Sequence, residues 1–108
     1  MDWKNITTCN ASLEKVVSEF KMYQEKLPYM RCKIRTVERA TSFMAKCNIQ
    51  VKDYINDSVD GICGLANTEE EAVNDLIVRL IDMIEDYERK YGRRLTEDDF
   101  EYVDPDDF

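Results

Sequence analysis

Between Thr68 and Gly92 the chain carries the start signal, body and stop signal of one helix, and the remaining elements must be arranged around it. Thr68 followed three residues later by Glu71 is a capping box. Glu69, Glu70 and Glu71 fill the first turn, where the helix dipole favours anions. Arg89 and Lys90 fill the last turn, and Gly92 stands where a left-handed stop is needed. Val73, Leu76, Ile77, Leu80, Met83, Ile84, Tyr87 and Tyr91 recur at steps of three and four, giving a wide apolar face. Such a helix is a rod about 35 Å long with one whole side to bury.

The segment before it reads as α-β-β-β. Leu13, Val16, Val17, Phe20 and Leu27 form one apolar stripe, which predicts a first helix from Ala11 to Leu27, capped by Asn10 and stopped by Pro28. Residues 31–37 alternate with period two. Arg31, Lys33 and Arg35 share one strand face, Cys32, Ile34 and Thr36 the other. Thr41 to Ile55 alternates as well, with Phe43, Ala45, Cys47, Ile49 and Val51 on the apolar side. Asn56-Asp57-Ser58 is turn chemistry. Val59 to Ala66 completes a meander, with Gly61 and Gly64 marking a bulge or a close backbone approach. The expected architecture is α+β: a three-stranded antiparallel sheet with two helices on one face. Residues 1–94 form the expected single domain. Residues 95–108 form an acidic, aromatic C-terminal extension opening at Thr96, with Phe100 folding back on the core.

Charge is divided along the chain. Residues 1–52 hold ten Lys/Arg and five Asp/Glu, and residues 53–108 hold five and eighteen, so +5 and −13 sum to the net −8. Histidine is absent, which removes the usual general base near neutral pH and the commonest transition-metal ligand. No Gly-rich phosphate loop, G-x-S-x-G or H-E-x-x-H occurs. Cys9, Cys32, Cys47 and Cys63 form no C-x-x-C pair and read as free thiols. No apolar run approaches the length of a membrane span, and the N-terminus lacks a signal-peptide layout. These readings predict a cytoplasmic, non-catalytic protein that uses no cofactor or metal and engages no membrane.

Recognition is then the remaining role. Asp75, Asp82, Glu85 and Asp86 lie on a polar arc of the capped helix. Beyond it come Glu97, Asp98, Asp99, Glu101, Asp104, Asp106 and Asp107 with no intervening base. Carboxylates spaced along a rigid rod imitate a phosphate backbone and gain from electrostatic steering towards a basic channel. The expected partner is a protein with a basic surface, and direct nucleic-acid binding is not expected. The simpler account of the same residues is a solvated acidic face. The basic strand face of Arg31, Lys33 and Arg35 can pair with the chain's own acidic tail, or with another copy, which leaves a homodimer open. A weaker alternative is a Mg²⁺-dependent phosphohydrolase built on Asp82, Glu85 and Asp86, as in all-helical nucleotide pyrophosphatases.

The order α-β-β-β-α is similar to that of the double-stranded-RNA-binding domain. Gly61-Ile62-Cys63-Gly64-Leu65-Ala66-Asn67-Thr68-Glu69-Glu70-Glu71-Ala72 resembles that family's passage from strand three into helix two. It also resembles the matching passage of HicB-type antitoxins, which implies an antitoxin-like or adaptor module acting through protein contacts. Where the RNA-binding family places phosphate-contacting lysines, this chain has Glu69, Glu70 and Glu71, so the resemblance does not extend to RNA binding. In size, charge and lack of catalytic residues the chain resembles small acidic phage-encoded inhibitors, including anti-CRISPR proteins of the DNA-mimic type. That resemblance implies an inhibitor in the host cytoplasm that blocks a nucleic-acid enzyme.

Overall fold

The computed structural model describes residues 1–28, 31–104 and 108. It contains one long helix and two antiparallel sheets, and its extents are 51 × 26 × 21 Å. Strands β1 (Lys15–Met22), β2 (Cys32–Glu38), β3 (Phe43–Cys47) and β6 (Cys63–Ala66) form a four-stranded sheet in the order β1-β2-β3-β6. Strands β5 (Ser58–Asp60), β4 (Ile49–Asp53) and β7 (Phe100–Tyr102) form a second sheet in the order β5-β4-β7. Helix α1 spans Glu69–Tyr91. The expected three-stranded sheet with two helices on one face is therefore corrected: the described residues form seven strands in two sheets and a single α-helix.

The largest correction falls on residues 11–27. The segment expected as a first helix holds β1, and Asn10 caps nothing, standing at φ 60° in a short 3-10 turn. The reason is tertiary. β2 presents a row of backbone donors and acceptors, and the β-branched pair Val16-Val17 suits a pleated partner better than a helix. A bulge at Val17 shifts the phase of the strand, so its apolar residues lose the strict alternation that marks a strand in sequence.

Two expected strands are each split. The run from Thr41 to Ile55 breaks at Asn48, which is buried although polar. Its side-chain oxygen accepts from the Lys33 N–H at 2.8 Å, and its amide nitrogen donates to the Arg31 carbonyl at 2.9 Å. Asn48 thus supplies the partner for the start of β2, and the chain turns from one sheet into the other. The run from Val59 to Ala66 breaks at Gly61-Ile62 and also contributes to both sheets.

α1 is the common spine. Thr68 Oγ1 accepts from the Glu71 N–H at 3.2 Å, and Gly92 closes the helix at φ 65°. Ala72 and Leu76 pack on Ile34 and Ala45 of the larger sheet. One turn further on, Leu80, Met83, Ile84 and Tyr87 pack with Ile49, Val51 and Phe100 of the smaller sheet and with Leu27 and Cys32. The helix crosses β6 so closely that a Cβ on Gly64 would lie 2.2 Å from the Ala72 carbonyl oxygen. At its far end the Tyr91 hydroxyl donates to the Lys52 carbonyl at 2.8 Å and accepts from the Tyr54 N–H at 3.1 Å, tying α1 to the β4–β5 hairpin. Cys32 and Cys47 meet inside this core as free thiols, with sulfurs 3.5 Å apart. The Cys47 contact and burial together push the Cys32 thiol far above its ordinary pKa.

Candidate functional site

The apolar face of α1 fixes where its carboxylates go. With Ala72, Leu76, Leu80, Met83, Ile84 and Tyr87 turned to the sheets, Asp82 stands on the outer ridge and Glu85 beside it. Neither makes a hydrogen bond or ion pair with a described residue. Asp75 is engaged internally: its carboxylate meets Arg79 Nε at 3.0 and 3.1 Å and accepts from the Leu65 N–H at 3.1 Å. Those contacts, the Leu65 N–H first, hold its pKa below the ordinary carboxylate value. They also occupy part of the outer edge of β6. Asp86 pairs with Arg89 one turn along.

The C-terminal acids are dispersed. Glu97 pairs with Arg31 at 3.0 Å. Asp98 is exposed and makes no such contact with a described residue. Asp99 is buried, and its carboxylate is fully used. It accepts from Arg93 at 2.7 and 2.9 Å, from the Thr96 N–H at 2.7 Å and from the Tyr54 hydroxyl at 3.0 Å. It closes a 3-10 turn at Glu97–Asp99 and serves the fold. Glu101 is exposed on β7, opposite Gln50 and on the side of the small sheet facing away from Ile49, Val51 and α1. Asp104 is exposed. Asp106 and Asp107 lie outside the described residues. The helix carboxylates and Glu101 therefore face different sides of the molecule, and the candidate acids do not form one continuous arc.

A cleft of about 310 Å³ between α1 and β5 was not foreseen. Asp60, Asp82 and Asp86 line it, with Arg79 and Lys90 as counter-charges. At its back the Tyr87 hydroxyl lies 3.0 Å from Asp60 and 3.2 Å from Asp53. A single hydroxyl hydrogen serves one carboxylate at a time, and burial, with both acids beside it, raises the Tyr87 pKa. Asp53 is satisfied without it, since it accepts from the Ile55 and Asn56 N–H groups and the Asn56 side chain. Nothing in the sequence marks Asp60 or Tyr87 for this place, because only the strand order brings them together. The cleft offers negative charge to a cationic side chain. Among the described residues, no three His, Cys, Asp or Glu side chains converge so as to hold a metal ion.

The basic residues of β2 meet the C-terminal segment. Arg31 stacks on the Tyr102 ring with its guanidinium carbon 3.9 Å from the ring centre. Arg35 donates to the main-chain oxygen of Phe108 at 2.6 Å, lies 4.5 Å from its ring centre, and pairs with Glu19 at 3.1 Å. The Val103 N–H donates to the Asn48 carbonyl at 2.7 Å, which carries the chain from β7 towards that face. Arg31 and Arg35 thus both contact the chain's own C-terminal segment.

No helix among the described residues is long and apolar enough to cross a membrane. No family model, no curated protein and no solved structure matches this chain.

Proposed function

We propose that this chain is a non-catalytic binding protein whose α1 carboxylates dock on a basic protein surface, in the manner of a cytoplasmic, phage-encoded inhibitor of a nucleic-acid enzyme. The observation that carries this reading is the state of Asp82 and Glu85. Both project from a helix anchored along its whole length, and neither makes an ion pair or hydrogen bond with a described residue. A rigid carrier lowers the ordering cost of binding, and unpaired carboxylates keep their charge for the partner. Asp60 extends the same patch into the cleft, where a lysine or arginine of the partner would sit, while Asp86 is already paired with Arg89. Glu97 and Asp99, spent on Arg31 and Arg93, fall outside the proposed contact.

The test is capture of partners on immobilised protein at low and high salt, repeated with the Asp82→Lys/Glu85→Lys variant. A nucleic-acid enzyme that is retained by the wild type, released by salt and lost by the variant supports the reading. Retention by the variant equal to wild type overturns it. Salt-resistant retention of a small protein favours the antitoxin-like or adaptor reading, for which the exposed apolar residues of β1 are the supporting observation.

A further inference from the structure

We infer that β1 pairs with the β1 of a second copy, antiparallel and centred on Phe20, joining the two large sheets into one of eight strands. This interface lies on a different element from the α1 carboxylates and does not depend on the function proposed for them.

β1 is the terminal strand of its sheet, and no described strand pairs with its outer side. Such an edge presents unpaired backbone donors and acceptors, and proteins ordinarily block it with charge, proline or a covering segment. The opposite edge of the same sheet has such a device, since Asp75 accepts from the Leu65 N–H. β1 carries Lys15, Glu19 and Lys21, yet it also exposes Val16, Val17 and Phe20, at 62, 41 and 43 % of their surface. Scattered exposed apolar residues are ordinary, but three within five residues of an open edge are not.

The charges of β1 identify the occupant. Beyond the bulge at Val17 the pairing with β2 is regular: Glu19 faces Arg35, Phe20 faces Ile34 and Lys21 faces Lys33. The first pair is complementary and closes as an ion pair at 3.1 Å. Lys21 opposite Lys33 is a like-charge pair, which is unfavourable across a ladder. A carboxylate on the outer side of Lys21 would relieve it.

Antiparallel self-pairing supplies that carboxylate. A two-fold axis normal to the sheet must run midway between two opposed copies of the same residue if each side chain is to keep its face. With the axis at Phe20, the two Phe20 rings are opposed. Glu19 of each copy then faces Lys21 of the other, and Ser18 faces Met22. Moving the axis to Glu19 opposes two glutamates, and moving it to Lys21 opposes two lysines. Among these three registers only the one centred on Phe20 is charge-complementary, and it satisfies both lysines at once.

The test uses two single variants, Glu19→Lys and Lys21→Glu, each confirmed as folded by circular dichroism. Sedimentation velocity over a concentration series should show reversible dimerisation of the wild type. Each variant alone should associate at least about tenfold more weakly, because every cross-axis pair becomes like-charged. An equimolar mixture should recover association to within about threefold of wild type, because Glu19→Lys in one copy then meets Lys21→Glu in the other. Hydrogen exchange on the unaltered protein provides a check that needs no variant: the amides among residues 18–22 that point away from β2 should gain protection as concentration rises. A wild type that stays monomeric up to about millimolar concentration overturns the proposal, as that is too weak for a specific interface. So does a dimer that forms equally well in both variants, or one whose exchange leaves residues 18–22 unchanged.

Discussion

Arg93 grips Asp99 with both arms of its guanidinium, Nη1 to Oδ2 at 2.7 Å and Nη2 to Oδ1 at 2.9 Å. The carboxylate is buried and the guanidinium half exposed, so the pair keeps one partner hydrated while the other is desolvated. The Thr96 N–H and the Tyr54 hydroxyl complete the ring around Asp99. This cluster joins the end of α1, the β4–β5 hairpin and the turn before β7. Asp99→Ala would leave Arg93, Thr96 and Tyr54 without their acceptor. The expected loss is about 3 kcal/mol of unfolding free energy, read as a fall in Tm of more than about 10 °C.

The same cluster sets an acid limb. The Arg93 hydrogen bonds, ahead of those from Thr96 and Tyr54, hold the folded pKa of Asp99 far below its unfolded value near about 3.9. A depressed folded pKa means the unfolded chain takes up the proton first. The contribution is therefore complete above the unfolded value and is lost as pH falls through the folded one. Urea midpoints of wild type and Asp99→Asn should differ most above about pH 5, and the difference should begin to shrink below about pH 4 and go on shrinking to the lowest pH at which the protein stays folded. A constant difference down to the lowest pH would contradict the assignment.

Gly64 is held by sterics rather than by backbone angle. An added Cβ would lie 2.2 Å from the Ala72 carbonyl oxygen and 2.6 Å from the Leu76 nitrogen, both helix backbone. α1 would have to lift off β6, taking Leu76 out of its contacts with Ile34 and Ala45. Gly64→Ala should cost about 3 kcal/mol, more than the overpacking of a side chain that can rotate away. Chemical denaturation measures it, and a loss below about 1 kcal/mol would show that the helix sits less closely than this.

Cys9 and Cys63 should react well before Cys32. Cys9 and Cys63 are exposed, while Cys32 is buried against Cys47 with a raised pKa. Thiolate is the reactive form. Alkylation of the native protein at neutral pH should label Cys9 and Cys63 first and reach Cys32 only on unfolding, with peptide mapping by mass spectrometry as the readout.

Charge reversal of Asp82 and Glu85 should leave the fold intact. Neither residue contacts a described partner, and surface substitutions away from special features stay within about 0.5 kcal/mol. An unchanged melting curve for Asp82→Lys/Glu85→Lys is therefore expected, and it is what allows that variant to report on binding.

α1 is legible in the sequence because everything that specifies it is local: Thr68 and Gly92 at its ends, and an apolar face repeated for six turns. The alternation of residues 32–37 and 43–51 is legible for the same reason, as successive side chains take opposite faces. β1 is hidden because much of it is exposed, so burial never imposed a period on its sequence, and the bulge at Val17 removes what remains. The division of a long strand at Asn48 depends on Lys33 and Arg31 lying across the ladder, which is not local information. β7 is likewise concealed by acids that read as a tail, although Phe100 does fold back on the core as expected. Among the candidate acids the sequence marks charge but not pairing. Only the folded arrangement shows that Asp75, Asp86, Glu97 and Asp99 are engaged within the chain while Asp82 and Glu85 are not.

The pairing of β7 with β4 bears on how the protein is made. Phe100, Glu101 and Tyr102 align with Val51, Gln50 and Ile49, residues that leave the ribosome long before them. Until the second partner emerges, a nascent chain holds β4 with one side open and the Phe100 position in the core vacant. The larger sheet and α1 can assemble first, but the smaller sheet waits for β7 to be translated. A stalled or truncated product ending before Phe100 would expose an apolar seam beside Ile49 and Val51, and so would be a ready substrate for chaperones and proteases.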